Sequence, residues 1–342
     1  MKSLAALLAM AACGPPARSH PDDAEADAGP QCTGAQACMG NTVVMCNPDG
    51  TFGDIVMPCG GGMMCQNGGC VTACTADGVE LIYVVSAQLD FLSFDPRLLP
   101  GDPFTRIGTL ACPVTLPNLM NPMNPPGPFS MGVDRDGIAW VLYSSGEVFN
   151  VKISDASCTA TSWVPKASGM QLFGMGFVTD TPTTASEKLY IVGGSPQADP
   201  GGYLAVVDTH AGNYTPTIIG QVFALSDVTA ELTGTNEAKL YGFFPRVQVR
   251  SYVQEFDKTN AQTFGTQLYI SNGGLGPIVR DWAFAQFAGR FYAFVTTNDG
   301  MTDNSTVRVV DRTTGVYSEI LSMLPYSIVG AGVSTCAPTV VQ

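Results

Sequence analysis

Five short apolar stretches, each built around one aromatic residue, recur along the chain: Tyr83 in LIYVV, Trp140 in IAWVL, Tyr190 in LYIV, Tyr241 in LYGF and Tyr292 in FYAF. Their spacings are 57, 50, 51 and 51 residues. A period of this size belongs to repeated supersecondary units rather than to one irregular core. Each stretch is followed by a strand ending at an acidic or amide residue, at Phe94-Asp95, Phe149-Asn150, Val207-Asp208, Phe256-Asp257 and Val310-Asp311. A turn and a further strand come next, as in TTGVYSEIL after Asp311. Short runs rich in Val, Ile, Tyr and Phe, bounded by Gly, Pro and Asp, predict an all-β fold.

Ahead of each aromatic lies a strand of different composition: FSMGVD, FGMGFV, DVTAEL, WAFAQF and, near the end of the chain, IVGAGV. Gly132, Gly176, Ala230, Ala285 and Gly332 form a column of small residues through these strands. Small residues are needed where several strands converge on one axis, although a glycine in a strand can also mark a bulge. Four strands in each of five units predict a five-bladed β-propeller over 76–342. The first unit lacks an inner strand of its own, and Ser327 to Cys336 supplies it. That closure joins two edges that would otherwise be open. The second unit turns between its first two strands at Asp136-Gly137; the matching turn of the first unit falls at Cys336 on one side and Asp77-Gly78 on the other. Cys74 is therefore expected beside Cys336. By elimination, Cys112 pairs with Cys158.

The N-terminus carries Lys2, an apolar run from Leu4 to Ala12, and then Cys13. This reads as a secretory signal. Leu8 to Cys13 (LAMAAC) resembles the lipobox of bacterial lipoproteins, with Met10 where that family most often has Leu. The resemblance implies that Cys13 is lipidated and begins the mature chain, and that the acyl chains are the membrane attachment. The segment 14–30, rich in Ala and Pro and carrying Asp22, Asp23, Glu25 and Asp27, reads as a disordered acidic tether with His20 solvated in it.

Cys32, Cys38, Cys46, Cys59, Cys65, Cys70 and Cys74 fall within 43 residues, between Gly, Asn and Asp-Gly turns. Zinc sites favour closer CxxC pairs, whereas small exported modules use disulfides in place of a large core. The segment 31–75 is thus expected to be a disulfide-rich module, with the connectivity of the six cysteines from Cys32 to Cys70 left open. GNTVVMCNPDGTFG followed by CGGGMMCQNGGC resembles Cys-rich modules on surface proteins of myxobacteria and related bacteria. That resemblance implies a spacer or interaction module.

Chemistry is sparse. A net charge of -13, with 16 Lys and Arg that form no cluster, argues against nucleic acid and against anionic lipid as partners. His210, in VDTHAGNY, reads as an exposed turn residue, so no hydrolase triad is supported. Asp299, Asp303 and their neighbours do not follow calcium-loop spacing, and neither a metal nor a cofactor is implied. Asp134, Asp227, Glu231 and Asp281 lie on or beside the predicted inner strands. Glycosidases need only two flanking carboxylates, and five-bladed propellers include glycoside hydrolases, but fold alone carries no function. Each of these acids has a plain alternative in capping a turn or pairing with Arg135, Arg246 or Arg280. The loops 86–90, 144–146, 193–202, 244–251 and 296–305 share one face with Arg280, Asp281 and Trp282, a polar and aromatic mixture suited to binding. The candidate ligand-binding residues are Arg280, Asp281, Trp282, Asp227, Asp134 and Arg246. The sequence therefore reads as an exported lipoprotein of the bacterial cell envelope, at the outer membrane. Its propeller is a binding or scaffold domain for a protein or glycan. The alternatives are a carbohydrate-active enzyme and a structural envelope protein.

Overall fold

The computed structural model describes residue 32 and residues 34–339, apart from 61–62, 195–201, 211, 213, 223–229 and 277. The signal, Cys13, the tether and Asp227 lie outside the described residues. Five four-stranded antiparallel sheets carry most of the chain. In the second, Pro128–Val133, Ile138–Tyr143, Val148–Lys152 and Cys158–Ala160 follow one another. The third holds Leu172–Thr179, Glu187–Gly194, Tyr203–Val207 and Thr217–Gln221. The fourth holds Glu231–Gly234, Leu240–Phe244, Tyr252–Phe256 and Thr263–Tyr269. The fifth holds Ile278–Phe287, Arg290–Asn298, Asp303–Asp311 and Tyr317–Leu321. The first is composite: Ile328–Val333 lies beside Ile82–Ser86, followed by Asp90–Phe94 and Phe104–Thr109. The architecture is β-propeller-like.

Each sheet is covered on both faces, which explains why its second strand reads as an unbroken apolar run instead of alternating. Ile82–Ser86 and Leu240–Phe244 are buried at every position, whereas the outer strand Phe104–Thr109 is partly exposed. The core divides into five apolar clusters, each filling the space between two sheets: first and second, second and third, third and fourth, fourth and fifth, and fifth and first.

The aromatic anchors all fall on second strands, and the small-residue column pairs with them: Gly132 with Trp140, Gly176 with Tyr190, Ala285 with Tyr292 and Gly332 with Tyr83. In the fourth sheet the residue opposite Tyr241 is Thr233, not Ala230, which precedes the strand. Thr233 is accommodated because its hydroxyl accepts the backbone N–H of Gln286 at 3.2 Å. Asn150 is likewise two residues early: it lies opposite Trp140, and Lys152 holds the strand-end place that Asp95, Asp208, Asp257 and Asp311 hold elsewhere. The inner strands approach one another closely. A Cβ on Gly332 would lie 3.0 Å from the backbone of Gly132.

The Cys-rich segment forms a three-stranded sheet, β1 (Gln36–Met39), β2 (Thr42–Cys46) and β3 (Phe52–Pro58), beside a hairpin of β4 (Met63–Gln66) and β5 (Gly69–Thr72). Its disulfides are Cys32–Cys46, Cys38–Cys65 and Cys59–Cys70. Cys74–Cys336 and Cys112–Cys158 are both formed. The second of these joins the outer edges of the first two sheets, where Gly108 leaves room for Ala156.

Candidate functional site

The inner strands run in one sense, so residues at their upstream and downstream ends lie on opposite faces. Arg280, Asp281 and Trp282 begin the inner strand of the fifth sheet. Asp281 is partly buried beside the hydroxyl of Ser327, which also lies 3.0 Å from the Thr296 hydroxyl, and desolvation raises its pKa. Arg280 is exposed and pairs with Asp303 at 3.1 Å. Trp282 packs on the apolar cluster between the fourth and fifth sheets. Arg246 lies in the connection after Phe244, its N–H donating to Ser251 Oγ at 2.8 Å.

Asp134 does not join them. It stands two residues past the Gly132 level, while Asp281 stands four residues before the equivalent Ala285. Six residues of strand separate the two levels by about 20 Å. Asp134 caps the Asp136-Gly137 turn: Oδ1 accepts from the backbone N–H of Asp136 and Ile138 at 3.0 and 2.9 Å, and Oδ2 from Trp140 Nε1 at 2.9 Å. Burial pushes its pKa up.

Around it, the downstream face carries a polar network. The backbone N–H of Arg135 donates to Glu187 Oε1 at 2.7 Å, and Thr335 Oγ1 donates to Glu187 Oε2 at 2.6 Å. The Arg135 guanidinium reaches Thr335 Oγ1 at 3.3 Å and Gln66 Oε1, in β4, at 3.5 Å. Glu187 is 4% exposed. Burial pushes its carboxyl up to about 7, against the opposing pull of those two hydrogen bonds. The network joins the first three sheets to the Cys-rich segment, which also docks through Asn67 Nδ2 on the carbonyls of Pro182 and Asn236, each at 3.0 Å. Beside it opens a cleft of about 320 Å³ between the connecting residues Ala73 and Thr75 and the sheet turns; Trp140, Asp134, Glu187, Ala185 and His210 complete its walls. Glu187 stands out in no sequence pattern, because it begins a second strand and gains its partners only through the fold. His210 is exposed in its turn and also lines this cleft.

Glu231 occupies a third level. The residues two places before the small-residue column are Ser130, Gly174, Glu231, Ala283 and Gly330, and Glu231 alone has a long side chain. Gly174 is obligatory, since a Cβ there would lie 2.1 Å from the Ala230 carbonyl. The Glu231 carboxyl accepts from Ser130 Oγ, on the inner strand of the second sheet, at 2.8 Å, and from the backbone N–H of Met175. It is fully buried, and burial holds its pKa well above the usual carboxylate range. Asp134, Glu231 and Asp281 thus stand at three different heights along the inner strands.

No protein-family model matches the sequence, and a search of curated proteins finds no match. Among solved structures, TolB from Acinetobacter baumannii is similar over 70% of this chain and 51% of its own, with 8% identity and a TM-score of 0.38. An endo-arabinase from Bacteroides thetaiotaomicron is similar over 64% and 85%, with 12% identity and a TM-score of 0.39. An α-L-arabinofuranosidase from Lactobacillus brevis is similar over 56% and 71%, with 15% identity and a TM-score of 0.37. The chain spans about half the length of TolB. The structural neighbours are β-propeller-like proteins.

Proposed function

We propose that the chain is an exported, lipid-anchored binding protein of the bacterial cell envelope. Its parts are a signal over 1–13 ending at the lipidated Cys13, an acidic tether over 14–30, a disulfide module over 31–75, and a five-bladed propeller over 76–342. The cyclic series of five apolar clusters and the pairing of Ile328–Val333 with Ile82–Ser86 support the reading of a ring closed by the C-terminal strand. A resemblance of LAMAAC to the lipobox supports the anchor. Cys13→Ser is expected to move the protein from the membrane to a soluble exported fraction; persistence with membranes after fractionation counts against the anchor.

The observation that carries the binding reading is the cleft at the junction of module and propeller. It is open, walled by charged groups, a histidine and an indole, and fixed by a network tying three sheets and the module together. Such a mixture on a rigid frame suits recognition of a polar ligand, a glycan or a protein segment. The competing location is the upstream face, with Arg246, Arg280 and Asp281. A glycan and peptide screen on the purified chain identifies the ligand, and Ala185→Trp locates it. Filling the cleft wall without touching the network is expected to abolish binding while leaving the melting temperature unchanged. Unchanged binding moves the site to the upstream face.

One observation favours a second reading, glycoside hydrolysis: Asp134 and Glu187 share the cleft, and burial pushes the Glu187 carboxyl up to about 7. A general acid needs such a pKa. Both carboxyls, however, already accept hydrogen bonds on each oxygen. Turnover of a panel of chromogenic glycosides decides between the two.

A further inference from the structure

Arg308, on the third strand of the fifth sheet, is a cation with few partners for its depth. Its side chain is 18% exposed, and the one charged group beside it, Glu319 on the neighbouring outer strand, lies 3.3 Å from its Nη2. Its Nε is buried and meets no hydrogen-bond acceptor among the described residues. A guanidinium carries five N–H donors, and leaving a buried donor unmade costs stability. Such a group calls for an explanation outside the internal packing of the fold.

Arg308 borders a cleft of about 680 Å³, between the outer strand Tyr317–Leu321 and the loop that leaves Thr263–Tyr269 of the fourth sheet. That is the size range of small-molecule sites. The loop wall is 271–274 and the strand wall 317–319. These walls carry hydroxyls, an amide, a carboxylate, two glycines and one phenol ring, and no aliphatic side chain. The loop is fixed before any ligand arrives. Ser271 Oγ accepts from the Ser251 N–H at 3.0 Å and donates to the Gly273 carbonyl at 2.7 Å, and Arg250 Nε donates to the Ser271 carbonyl at 3.3 Å. Leu275 is buried in the cluster between the fourth and fifth sheets. Gly274 passes so near the Val247 carbonyl that a Cβ would lie 2.0 Å from it. A preformed wall lowers the ordering cost of binding.

We propose that this cleft is a second binding site, for a neutral saccharide, separate from the cleft at the Cys-rich segment. Sugar hydroxyls both accept and donate, so adjacent ones take N–H donors from Arg308 and give O–H donors to Glu319 at once, with Ser318 and Asn272 beside them. An anion would meet the Glu319 carboxylate and the field of a chain with net charge -13. A cation would meet Arg308. A peptide strand needs pockets for its side chains, and glycines, hydroxyls and an amide do not provide them. The polar walls, balanced in charge, match a ligand that is polar and uncharged.

The test is isothermal titration of the purified chain with cellobiose, maltose, xylobiose and lactose, and with galacturonic acid as an anionic counterpart. At least one neutral sugar is expected to bind, more tightly than galacturonic acid, and to bind equally to Ala185→Trp, in which the other cleft is filled. Arg308→Met keeps the length of the side chain and removes its donors. It is expected to weaken binding about tenfold or more and to melt at or above the temperature of the parent, because a poorly satisfied cation is removed and the Glu319 left behind is exposed. Ser318→Trp, at an exposed position of the strand wall, is expected to abolish binding with an unchanged melting curve. The proposal is overturned if none of the four sugars binds, if binding is indifferent to both variants, or if galacturonic acid binds more tightly. Loss of binding in Ala185→Trp also overturns it and assigns the sugar to the cleft at the Cys-rich segment. A lower melting temperature in Arg308→Met with sugar binding unchanged overturns it as well, and makes Arg308 a residue of the fold.

Discussion

At the scale of single residues, Glu231 is the position where folding and ionisation are most tightly coupled. Its carboxyl shares its level of the inner strands with Ser130, Gly174, Ala283 and Gly330, and its partners are the Ser130 hydroxyl and the Met175 N–H. The unfolded carboxyl titrates near 4.5 and the folded one well above. Below the lower value both states hold the proton. As pH rises past it, the unfolded chain gives up its proton first, so stability falls by about 1.4 kcal/mol per pH unit until the folded pKa is passed. Glu187 adds a similar slope between 4.5 and about 7. Glu231→Gln is neutral at every pH and keeps an oxygen for Ser130. It is expected to flatten the decline in stability above pH 5 and to melt higher than the parent at pH 8, with little difference at pH 4. Denaturant melts across that range check it. Parallel slopes for parent and variant would mean that Glu231 is ionised in the fold.

At the scale of elements, the strand Ile328–Val333 is central though it comes last. It is buried throughout, pairs with Ile82–Ser86, and packs Ala331 and Val333 into the cluster shared by the first and fifth sheets. A chain ending at Tyr326 loses this strand, Thr335 and Cys336 together, and exposes the edge of Ile82–Ser86 to a neighbour. It is expected to show no cooperative transition in calorimetry. A chain ending at Thr339 keeps them, along with the hydrogen bond from the Ala288 N–H to the Pro338 carbonyl, and is expected to melt like the full chain. Equal transitions for the two would remove the strand from the core. This strand was legible in the sequence because burial on both faces leaves unbroken apolar runs and because the repeat is missing one member. Thr233 was not. Ala230 and Gly234 flank it as equally small candidates, and the register that selects Thr233 is set by pairing with Tyr241. Glu187 was hidden for a different reason, since the hydroxyl that defines its role lies 148 residues away. The pairings within the Cys-rich segment depend on hairpin geometry that cysteine spacing does not encode.

At the scale of the whole molecule, Cys74–Cys336 ties the linker after the Cys-rich segment to the turn that follows the last strand, across a sequence separation of 262 residues. Cross-linking so long a loop removes much freedom from the unfolded chain, about 5 kcal/mol in the chain-entropy account, which measured cases tend to undershoot. The folded state holds the same two segments by other means: strand pairing on one side, and the Arg135, Gln66 and Thr335 contacts on the other. Cys74→Ser should therefore leave the native arrangement intact while loosening the unfolded chain. The expected cost is about 2–5 kcal/mol, read as a lower denaturant midpoint, with Cys336 newly reactive to a thiol reagent under native conditions. Ligand binding at the cleft is expected to persist below the midpoint, because the Arg135 network does not pass through the disulfide. Peptide mapping under non-reducing conditions that joins Cys336 to Cys112 or Cys158 would dismantle this account. An unchanged midpoint in Cys74→Ser would instead mean that the unfolded chain is already held compact by other contacts.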